Sequence, residues 1–257
     1  MIRFFSATIC LLVFLGHSAT ASDLEREARL SEEMEINIFD GDVLRLTAAN
    51  HEFVNAYMEA EEEKGAVILL HGRGYHADWE LVVGPLRVML AEVGWTTLSL
   101  QMPVLENGAK YYEYVDIFPE AYPRIEAAIK YLREAGKGPV VVLAHSCGAH
   151  MAMNWIDVSG DGNIDAYIGM GMGATDYQQD LIKPFPLDKM KIPVLDLLGK
   201  DEYPRVLALA RERKVLLESV MHPSSAQRWV DGADHYFRDK NEEAGAIVIE
   251  WLDSLTF

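Results

Sequence analysis

The stretch Pro139-Val-Val-Val-Leu-Ala-His-Ser-Cys-Gly-Ala149 begins with an apolar run, residues 139–144. After His145 it continues with a serine, Ser146, which is followed by small residues. The run is short and rich in β-branched valine, which predicts a strand buried on both faces of a sheet. The residues after Ser146 continue as an apolar segment through Trp155, as expected of a helix. We therefore expect a strand that turns into a helix within very few residues, with Ser146 at the turn.

Such a turn has the geometry of a nucleophile elbow, in which a strained backbone lifts the serine hydroxyl above the sheet. Small neighbours allow the strand and the helix to approach each other, and Gly148 supplies one of them. Ala144 stands where the G-x-S-x-G pattern has its other glycine, so the pattern is weakened. The alternative is a serine that only happens to occupy a tight turn.

A second apolar strand, at residues 66–70, is followed by the glycine-rich turn His71-Gly72-Arg73-Gly74. A turn of this kind can aim backbone N–H groups into a cavity, where they would stabilise the oxyanion of an acyl-transfer reaction. We expect the N–H groups of Arg73 and Cys147 to fill this role. The alternative is an ordinary turn between a strand and a helix.

An acid and a base are expected near the ends of two later strands. A serine hydroxyl needs a histidine to accept its proton and a carboxylate to orient that histidine. His235 follows the final predicted strand, and Asp201 lies just beyond an earlier one. The chain order Ser146, Asp201, His235 is that of the α/β-hydrolases. Glu202 is the fallback acid, and Asp196 ranks lower because it lies inside its strand.

Strands and helices are predicted to alternate along most of the chain, which indicates a mostly parallel sheet covered on both faces. Strands are expected at residues 35–39, 43–48, 52–60, 66–70, 94–100, 139–144, 165–172, 193–198 and 227–230, with the first ones antiparallel around a turn at Asp40-Gly41-Asp42. Besides the helix after Ser146, helices are expected at residues 22–33, 79–93, 120–135, 204–219 and 241–255. The aromatic-rich segments 102–118 and 173–191 are expected to be irregular and to cover a modest, partly open pocket.

The N-terminus has the three parts of a secretory signal peptide: Arg3, an apolar run at residues 4–15, and Ala19-Thr20-Ala21. We expect cleavage after residue 21, a soluble product in the bacterial periplasm or outside the cell, and one domain over residues 22–257. An uncleaved anchor or a buried N-terminal helix is the alternative. Cleavage would remove Cys10 and leave Cys147 without an intramolecular disulfide partner.

Composition excludes several classes of protein. The chain has 257 residues, of which 50% are hydrophobic, and carries 40 acidic against 23 basic residues, a formal net charge of −17. The electrostatic field of this negative charge disfavours nucleic acid and anionic membrane surfaces as partners.

Residues 157–165 resemble the start of a calcium loop, but Ile168 replaces its bidentate glutamate, so we interpret them as a helix-to-strand turn. No zinc-ligand spacing or nucleotide-binding glycine motif is present, and we expect no cofactor or metal.

Four segments together resemble an exported bacterial branch of the α/β-hydrolase superfamily, whose members mostly lack an assigned function. They are residues 66–74, 94–103, 144–148 and 232–237, and the resemblance extends over about residues 31–255. It implies a mostly parallel eight-stranded sheet with antiparallel N-terminal strands and helices on both faces. It also implies Ser146 as nucleophile, Asp201 as acid and His235 as base, with oxyanion donors after His71-Gly72 and at Cys147.

We therefore expect a serine hydrolase that cleaves small or medium esters through an acyl-enzyme, with thioesters and amides left open. Its expected partner is the small-molecule substrate, and the sequence does not give the oligomeric state. A hydrolase fold can also serve binding without catalysis, since a fold does not determine a function. A binding or envelope-assembly protein with an idle serine is therefore the alternative.

Overall fold

The computed structural model describes residues 21–257, so the predicted signal peptide, apart from Ala21, and Cys10 lie outside the described residues. Within them the strands are β1 Asp42–Ala48, β2 His51–Met58, β3 Gly65–Leu70, β4 Trp95–Leu100, β5 Val140–His145, β6 Ala166–Met170, β7 Val194–Asp201 and β8 Ala226–Asp234. The helices are α1 Leu24–Asn37, α2 Val83–Glu92, α3 Tyr111–Glu134, α4 Cys147–Ser159, α5 Pro204–Val220 and α6 Asn241–Asp253. No helix of this part of the chain has the length and apolar character needed to cross a membrane.

The strands form one sheet in the order β1-β2-β4-β3-β5-β6-β7-β8. β2 runs antiparallel to both β1 and β4, and every other pairing is parallel. The predicted mostly parallel eight-stranded sheet with antiparallel N-terminal strands is therefore confirmed. The carboxyl ends of β5, β7 and β8 lie on the same edge of this sheet, and ligands of open α/β sheets bind at that edge.

Two hydrophobic cores flank the sheet. One contains the buried faces of α3 and α4, including Tyr114, Phe118 and Trp155, and the other contains those of α2 and α6. Side chains of β3 and β5 point alternately into the two cores, and both strands are buried along their whole length. This explains their continuous apolar sequences, because neither face of a central strand meets water.

The N-terminal region differs from the prediction. Residues 35–39, predicted as a strand, continue α1 to Asn37 and then leave it. The side chain of Asp23 caps α1 by accepting a hydrogen bond from the backbone of Arg26, and Met34 is buried against Ala56. This packing favours the helix over the extended form, because a tertiary contact outweighs a weak local preference.

The first hairpin turn also lies elsewhere than predicted. Residues 40–42 lead from α1 into β1, whereas β1 and β2 are joined by Ala49 and Asn50. Both of these residues have positive φ, 47° and 64°, as the two central residues of a type I′ hairpin turn require. Asparagine tolerates that conformation, but alanine gives no such signal.

Helix α3 is longer than predicted. It begins at Tyr111, whereas the sequence predicts an irregular segment there and a helix only from residue 120, and it contains Pro119 and Pro123. Internal prolines usually interrupt a helix. Here Tyr114 and Phe118 are fully buried in the core, and their burial offsets the hydrogen bonds lost at the prolines. The aromatic residues expected to form a loop thus form the first two turns of a helix.

Candidate active site

The turn between β5 and α4 holds Ser146 in a strained conformation, with φ 53° and ψ −114°. Positive φ is costly for a residue with a side chain and is tolerated where the surroundings impose it. The first turn of α4 lies so close to β3 that only glycine fits at position 148. A Cβ there would lie 2.6 Å from the carbonyl oxygens of Leu70 and of His71. The predicted elbow is therefore present, and α4 starts directly against the end of β3.

His235, in the segment that follows β8, lies beside the serine. Its Nε2 is 2.8 Å from the Oγ of Ser146, and its Nδ1 is 2.7 Å from Oε2 of Glu202. A carboxylate can only accept, so Nδ1 carries the proton and donates to Glu202. Nε2 is then free to accept the hydrogen bond from the serine hydroxyl. The arrangement has the geometry required of a nucleophile, a base and an orienting acid.

The carboxylate beside His235 belongs to Glu202. The prediction that Asp201 lies beside the histidine is therefore wrong. Asp201 is exposed at the end of β7, whereas the side chain of Glu202 is fully buried. Adjacent residues of an extended chain point to opposite sides, so only one of the two can face His235. The register of β7 and β8 shifts between Gly199 and Asp201, which changes the side toward which the following residues point.

Asp196, the third carboxylate considered from the sequence, lies away from the histidine. It is buried within β7, and its Oδ2 accepts hydrogen bonds from Arg213 at 2.9 Å and Gln227 at 2.8 Å. Burial raises its pKa, while the charge of Arg213 opposes that rise. Arg213 also donates to the carbonyl of Met172, so this pair ties α5 to the segment after β6.

Gly171, which the sequence analysis missed, leaves the space that the acid and the base occupy. Its φ is 59°, and a Cβ there would lie 2.8 Å from Oε1 of Glu202 and 2.9 Å from Cε1 of His235. Tyr203 supports the same carboxylate, since its backbone N–H donates to Oε2 of Glu202 at 3.0 Å. The sequence predicts a strand over residues 165–172, whereas β6 ends at Met170 and Gly171 follows it. A glycine inside a predicted strand is the sequence signal that could have drawn attention to the position.

Gly171→Ala is expected to lower kcat for ester hydrolysis by about 10- to 100-fold, because the added methyl group displaces Glu202 and His235 and an error of about 1 Å can cost that much. The measurement is steady-state hydrolysis of a chromogenic acetate ester. Gly162→Ala is the matched control, since no atom lies within 4 Å of a Cβ built there and its φ is not positive. Equal activity of the two variants would contradict the packing role of Gly171.

Tyrosine rings enclose the histidine on its outer side. The ring of Tyr203 stacks on that of His235, with centroids 4.3 Å apart, and its hydroxyl lies 2.9 Å from that of Tyr236. Tyr75 stacks on Trp79 at 3.6 Å and meets Tyr236 edge to face. Burial, together with a hydrogen bond to Tyr236, raises the pKa of Tyr75 to about 12, so its hydroxyl remains protonated at neutral pH.

Two further histidines shape the site without facing the serine hydroxyl. His145 donates from Nε2 to the carbonyl of His235 at 2.9 Å, and His71 donates from Nδ1 to the carbonyl of Gly72 at 2.7 Å while its Nε2 accepts from the backbone of Met102. Burial lowers the pKa of each to about 3, so both are neutral. They fix the backbone of His235 and of the glycine-rich turn at residues 71–74.

The N–H groups of Arg73 and Cys147, predicted as oxyanion donors, belong to residues that line the same cleft as Ser146. Neither N–H donates a hydrogen bond to another described residue, which leaves both free for a ligand. The thiol of Cys147 is buried, which raises its pKa to about 12. It is therefore protonated and a poor nucleophile compared with a serine activated by histidine.

The cleft at Ser146 is small, with a volume of about 60 Å³. Its lining includes the buried Tyr111 and His150, whose rings are 5.0 Å apart, and Ala174 and Thr175. Both segments expected to cover the pocket contribute, although the first does so as the start of α3. A volume of this size holds roughly four to six water-sized groups, whereas pockets that bind drug-sized ligands have volumes of about 300–1,000 Å³.

The acidic side chains of residues 157–165, which resemble the start of a calcium loop, accept hydrogen bonds from other parts of the protein. Asp161 accepts hydrogen bonds from the backbones of Lys191 and Ile192, and Asp165 accepts from Arg133 and from the backbone of Val140. Within residues 21–257 no group of three or more His, Cys, Asp or Glu side chains is arranged to hold a metal ion. The helix-to-strand interpretation of this segment agrees with the end of α4 and the start of β6.

Comparison with known proteins shows the fold. Residues 17–114 match the model of a family described as a protein of unknown function, DUF3530. No curated protein matches the chain. Among solved structures, the chain is similar to a predicted CIB-like hydrolase from Thermoplasma acidophilum, at 17% identity and a TM-score of 0.63, covering 83% of this chain and 98% of that one.

Two further solved structures have the same architecture. The esterase Pf2001 from Pyrococcus furiosus is 19% identical, with a TM-score of 0.64 over 84% of this chain and 90% of that one. XC6422 from Xanthomonas campestris, described as an α/β serine hydrolase without a lid, is 12% identical, with a TM-score of 0.61 over 86% and 98%. The chain therefore has the α/β-hydrolase fold, and these identities carry no conclusion about activity.

Proposed function

We propose that this protein is a serine hydrolase that cleaves small carboxylic esters through an acyl-enzyme. The observation that carries the proposal is the continuous hydrogen-bonded series from Ser146 Oγ through His235 to Glu202, with distances of 2.8 and 2.7 Å, at the wall of a cleft. The strained backbone of Ser146 supports it, because such strain persists where function requires it. Esterases and serine hydrolases among proteins of the same fold are consistent with this activity.

In the first half of the reaction, the Oγ of Ser146 attacks the ester carbonyl while Nε2 of His235 accepts the hydroxyl proton. Glu202 accepts a hydrogen bond from Nδ1, keeps the imidazole in the required tautomer and stabilises the imidazolium. The tetrahedral intermediate collapses when His235 returns the proton to the leaving alcohol, and the acyl group remains on Ser146. Water then attacks the acyl-enzyme by the same proton transfers and releases the acid.

The free N–H groups of Arg73 and Cys147 provide the stabilisation of charge that this chemistry needs. Negative charge develops on the carbonyl oxygen in each tetrahedral intermediate, and fixed donors at that position are worth about 2.7–4 kcal/mol each. Cys147 is the first residue of α4, so its N–H also lies at the positive end of the helix dipole. The neutral His71 holds the turn that contains Arg73.

The volume of the cleft limits the acyl group. About 60 Å³ beside Ser146 accommodates an acetyl or propionyl group but not a long chain. Tyr111 and His150 line the cleft, and both are buried, so a longer chain would have to displace packed side chains. We therefore narrow the expected small or medium esters to those with a short acyl chain; thioesters and amides of the same size remain candidate substrates.

The test is a panel of 4-nitrophenyl esters from acetate to decanoate, with Ser146→Ala protein as the blank. The expected result is a maximum of kcat/KM at acetate or propionate and a fall of about tenfold or more by octanoate, because overpacking a well-packed site costs about 1–3 kcal/mol. Hydrolysis that does not depend on Ser146 would contradict the proposed function. A maximum at octanoate would contradict only the limit on acyl length.

A further inference from the structure

A second cleft adjoins the one at Ser146. Its volume is about 280 Å³, and it shares Arg73, Tyr75 and Tyr236 with the first cleft as common walls. Arg26 and Lys110 complete its cationic lining. The two clefts are therefore neighbours at Arg73, and we call the second one the cationic cleft.

Arg26 is held rigidly in the cationic cleft. It lies on α1, and its guanidinium donates to the carbonyl oxygens of Leu105 and Gly74. No carboxylate of the described residues lies within 4.0 Å of its nitrogens. A half-buried charge without an opposite partner is unfavourable, so an anion bound in the cationic cleft would stabilise this guanidinium.

The anchoring of α1 keeps Arg26 in place. The next residue, Glu27, is buried, and both of its carboxylate oxygens accept from Arg124 of α3 at 2.9 Å. This bidentate pair fixes the rotation and the position of the helix. Helix α1 therefore does more than cover the sheet, because it delivers a positive charge to the edge at which Ser146 lies.

The balance of charge in the cationic cleft is opposite to that of the whole chain. Arg26, Arg73 and Lys110 face one lining acid, Glu106, and Asp176 forms a bidentate ion pair with Arg73 at 2.7 and 3.2 Å. Although burial acts against it, Asp176 raises the pKa of Arg73 and keeps it charged. Three cations against two anions leave a net positive site in a chain of net charge −17.

We propose that the cationic cleft binds an anionic group, a carboxylate or a phosphate, on the substrate whose ester bond is cleaved at Ser146. Guanidinium groups match the geometry of both anions, and hydrogen bonds between charged groups are about twice as strong as neutral ones. A local positive site also draws an anionic substrate toward an otherwise repelling surface. This inference rests on the proposed function, and it adds the class of substrate.

The kinetic test compares three acetate esters of one shape: 4-acetoxybenzoate, 4-acetoxyphenyl phosphate and the neutral 4-acetoxybenzamide. The expected kcat/KM of the wild type is higher for at least one anionic ester than for the amide, and the better of the two identifies the anion. Arg26→Gln is expected to lower that ratio of anionic to neutral ester about tenfold or more at low salt. Arg29→Gln, at an exposed position on the same helix, is expected to leave the ratio unchanged.

A binding measurement separates this inference from the proposed function. Calorimetry with 4-hydroxybenzoate, phenyl phosphate and 4-hydroxybenzamide requires no hydrolysis. Binding of an anion that weakens about tenfold in Arg26→Gln but not in Arg29→Gln supports the cationic cleft even if no ester is cleaved. Ser146-dependent hydrolysis with no preference for either anionic ester, or with a preference that Arg26→Gln leaves intact, overturns the inference and leaves the proposed function standing. Loss of the preference for anionic esters in both Arg26→Gln and Arg29→Gln would also overturn the inference. The preference would then depend on the net charge of the protein and not on Arg26.

Discussion

Ser146→Ala is expected to lower kcat for acetate esters by about four to six orders of magnitude, because it removes the group that forms the acyl-enzyme. His235→Ala is expected to have an effect of similar size, since within residues 21–257 no other group lies at hydrogen-bond distance from the Oγ of Ser146 to accept its proton. The double variant is expected to cost little more than either single variant. Residues that act as one unit show this lack of additivity.

The measurement is single-turnover and steady-state hydrolysis of 4-nitrophenyl acetate, with folding checked by circular dichroism. Ser159→Ala is a suitable control, because this serine is exposed at the other end of α4. It is expected to leave kcat within about twofold, as surface substitutions usually do. If Ser146→Ala retained a tenth of the wild-type rate, Ser146 would not be the nucleophile.

Glu202→Gln is expected to reduce kcat by about 10⁴-fold, whereas Asp201→Asn is expected to change it less than about threefold. The glutamine side chain at position 202 has no charge to stabilise the imidazolium of His235. Its NH₂ group can donate to Nδ1 of His235, which places the imidazole proton on Nε2. That tautomer cannot accept the proton of Ser146. The side chain of Asp201 is exposed and has no hydrogen bond to the histidine, so its charge contributes little there.

This pair of variants is well matched, because the two acids are neighbours and each loses only its charge. The dependence of kcat for 4-nitrophenyl acetate on pH, measured from pH 6 to 9, separates two effects of Glu202→Gln. The expected effect is a lower plateau of kcat at high pH, and not only a shift of the apparent pKa of the profile. The opposite pattern, an inactive Asp201→Asn with an active Glu202→Gln, would restore the assignment made from the sequence and contradict the geometry seen here.

Much of this site could be predicted from residue patterns alone. The apolar strand before Ser146 and the small residues after it predict the tight turn, and the position of His235 after the last strand predicts that it lies at the same edge of the sheet. These two side chains lie 89 residues apart in the chain and 2.8 Å apart in space. Their proximity could be predicted because the carboxyl ends of neighbouring parallel strands lie on one edge of a sheet.

Which carboxylate lies beside His235 could not be predicted, because it depends on a shift of one residue in strand register. Asp201 and Glu202 are chemically equivalent candidates, and a shift in the pairing of β7 and β8 decides which of them turns inward. The first part of helix α3, before residue 120, was missed for a different reason. Pro119 argues against a helix locally, and the burial of Tyr114 and Phe118 becomes visible only in the structure. Gly171 matters through the space that it leaves, and a single sequence does not show such space.

The export of the chain stays a prediction, since residues 1–20 lie outside the described part of the structure. We propose cleavage after Ala21 on the sequence pattern alone. The described chain begins there and enters α1 three residues later, so cleavage would leave Arg26 and the buried pair of Glu27 and Arg124 in place. The cationic cleft is thus compatible with either form of the N-terminus.

The most direct test of a nucleophilic Ser146 is to label the folded protein with a fluorophosphonate and map the adduct by mass spectrometry. The expected result is one adduct per chain, on Ser146, that is absent from Ser146→Ala and forms far more slowly in His235→Ala and Glu202→Gln. Folded protein that forms no adduct, or forms it on another residue, would contradict the triad and favour a hydrolase fold used only for binding.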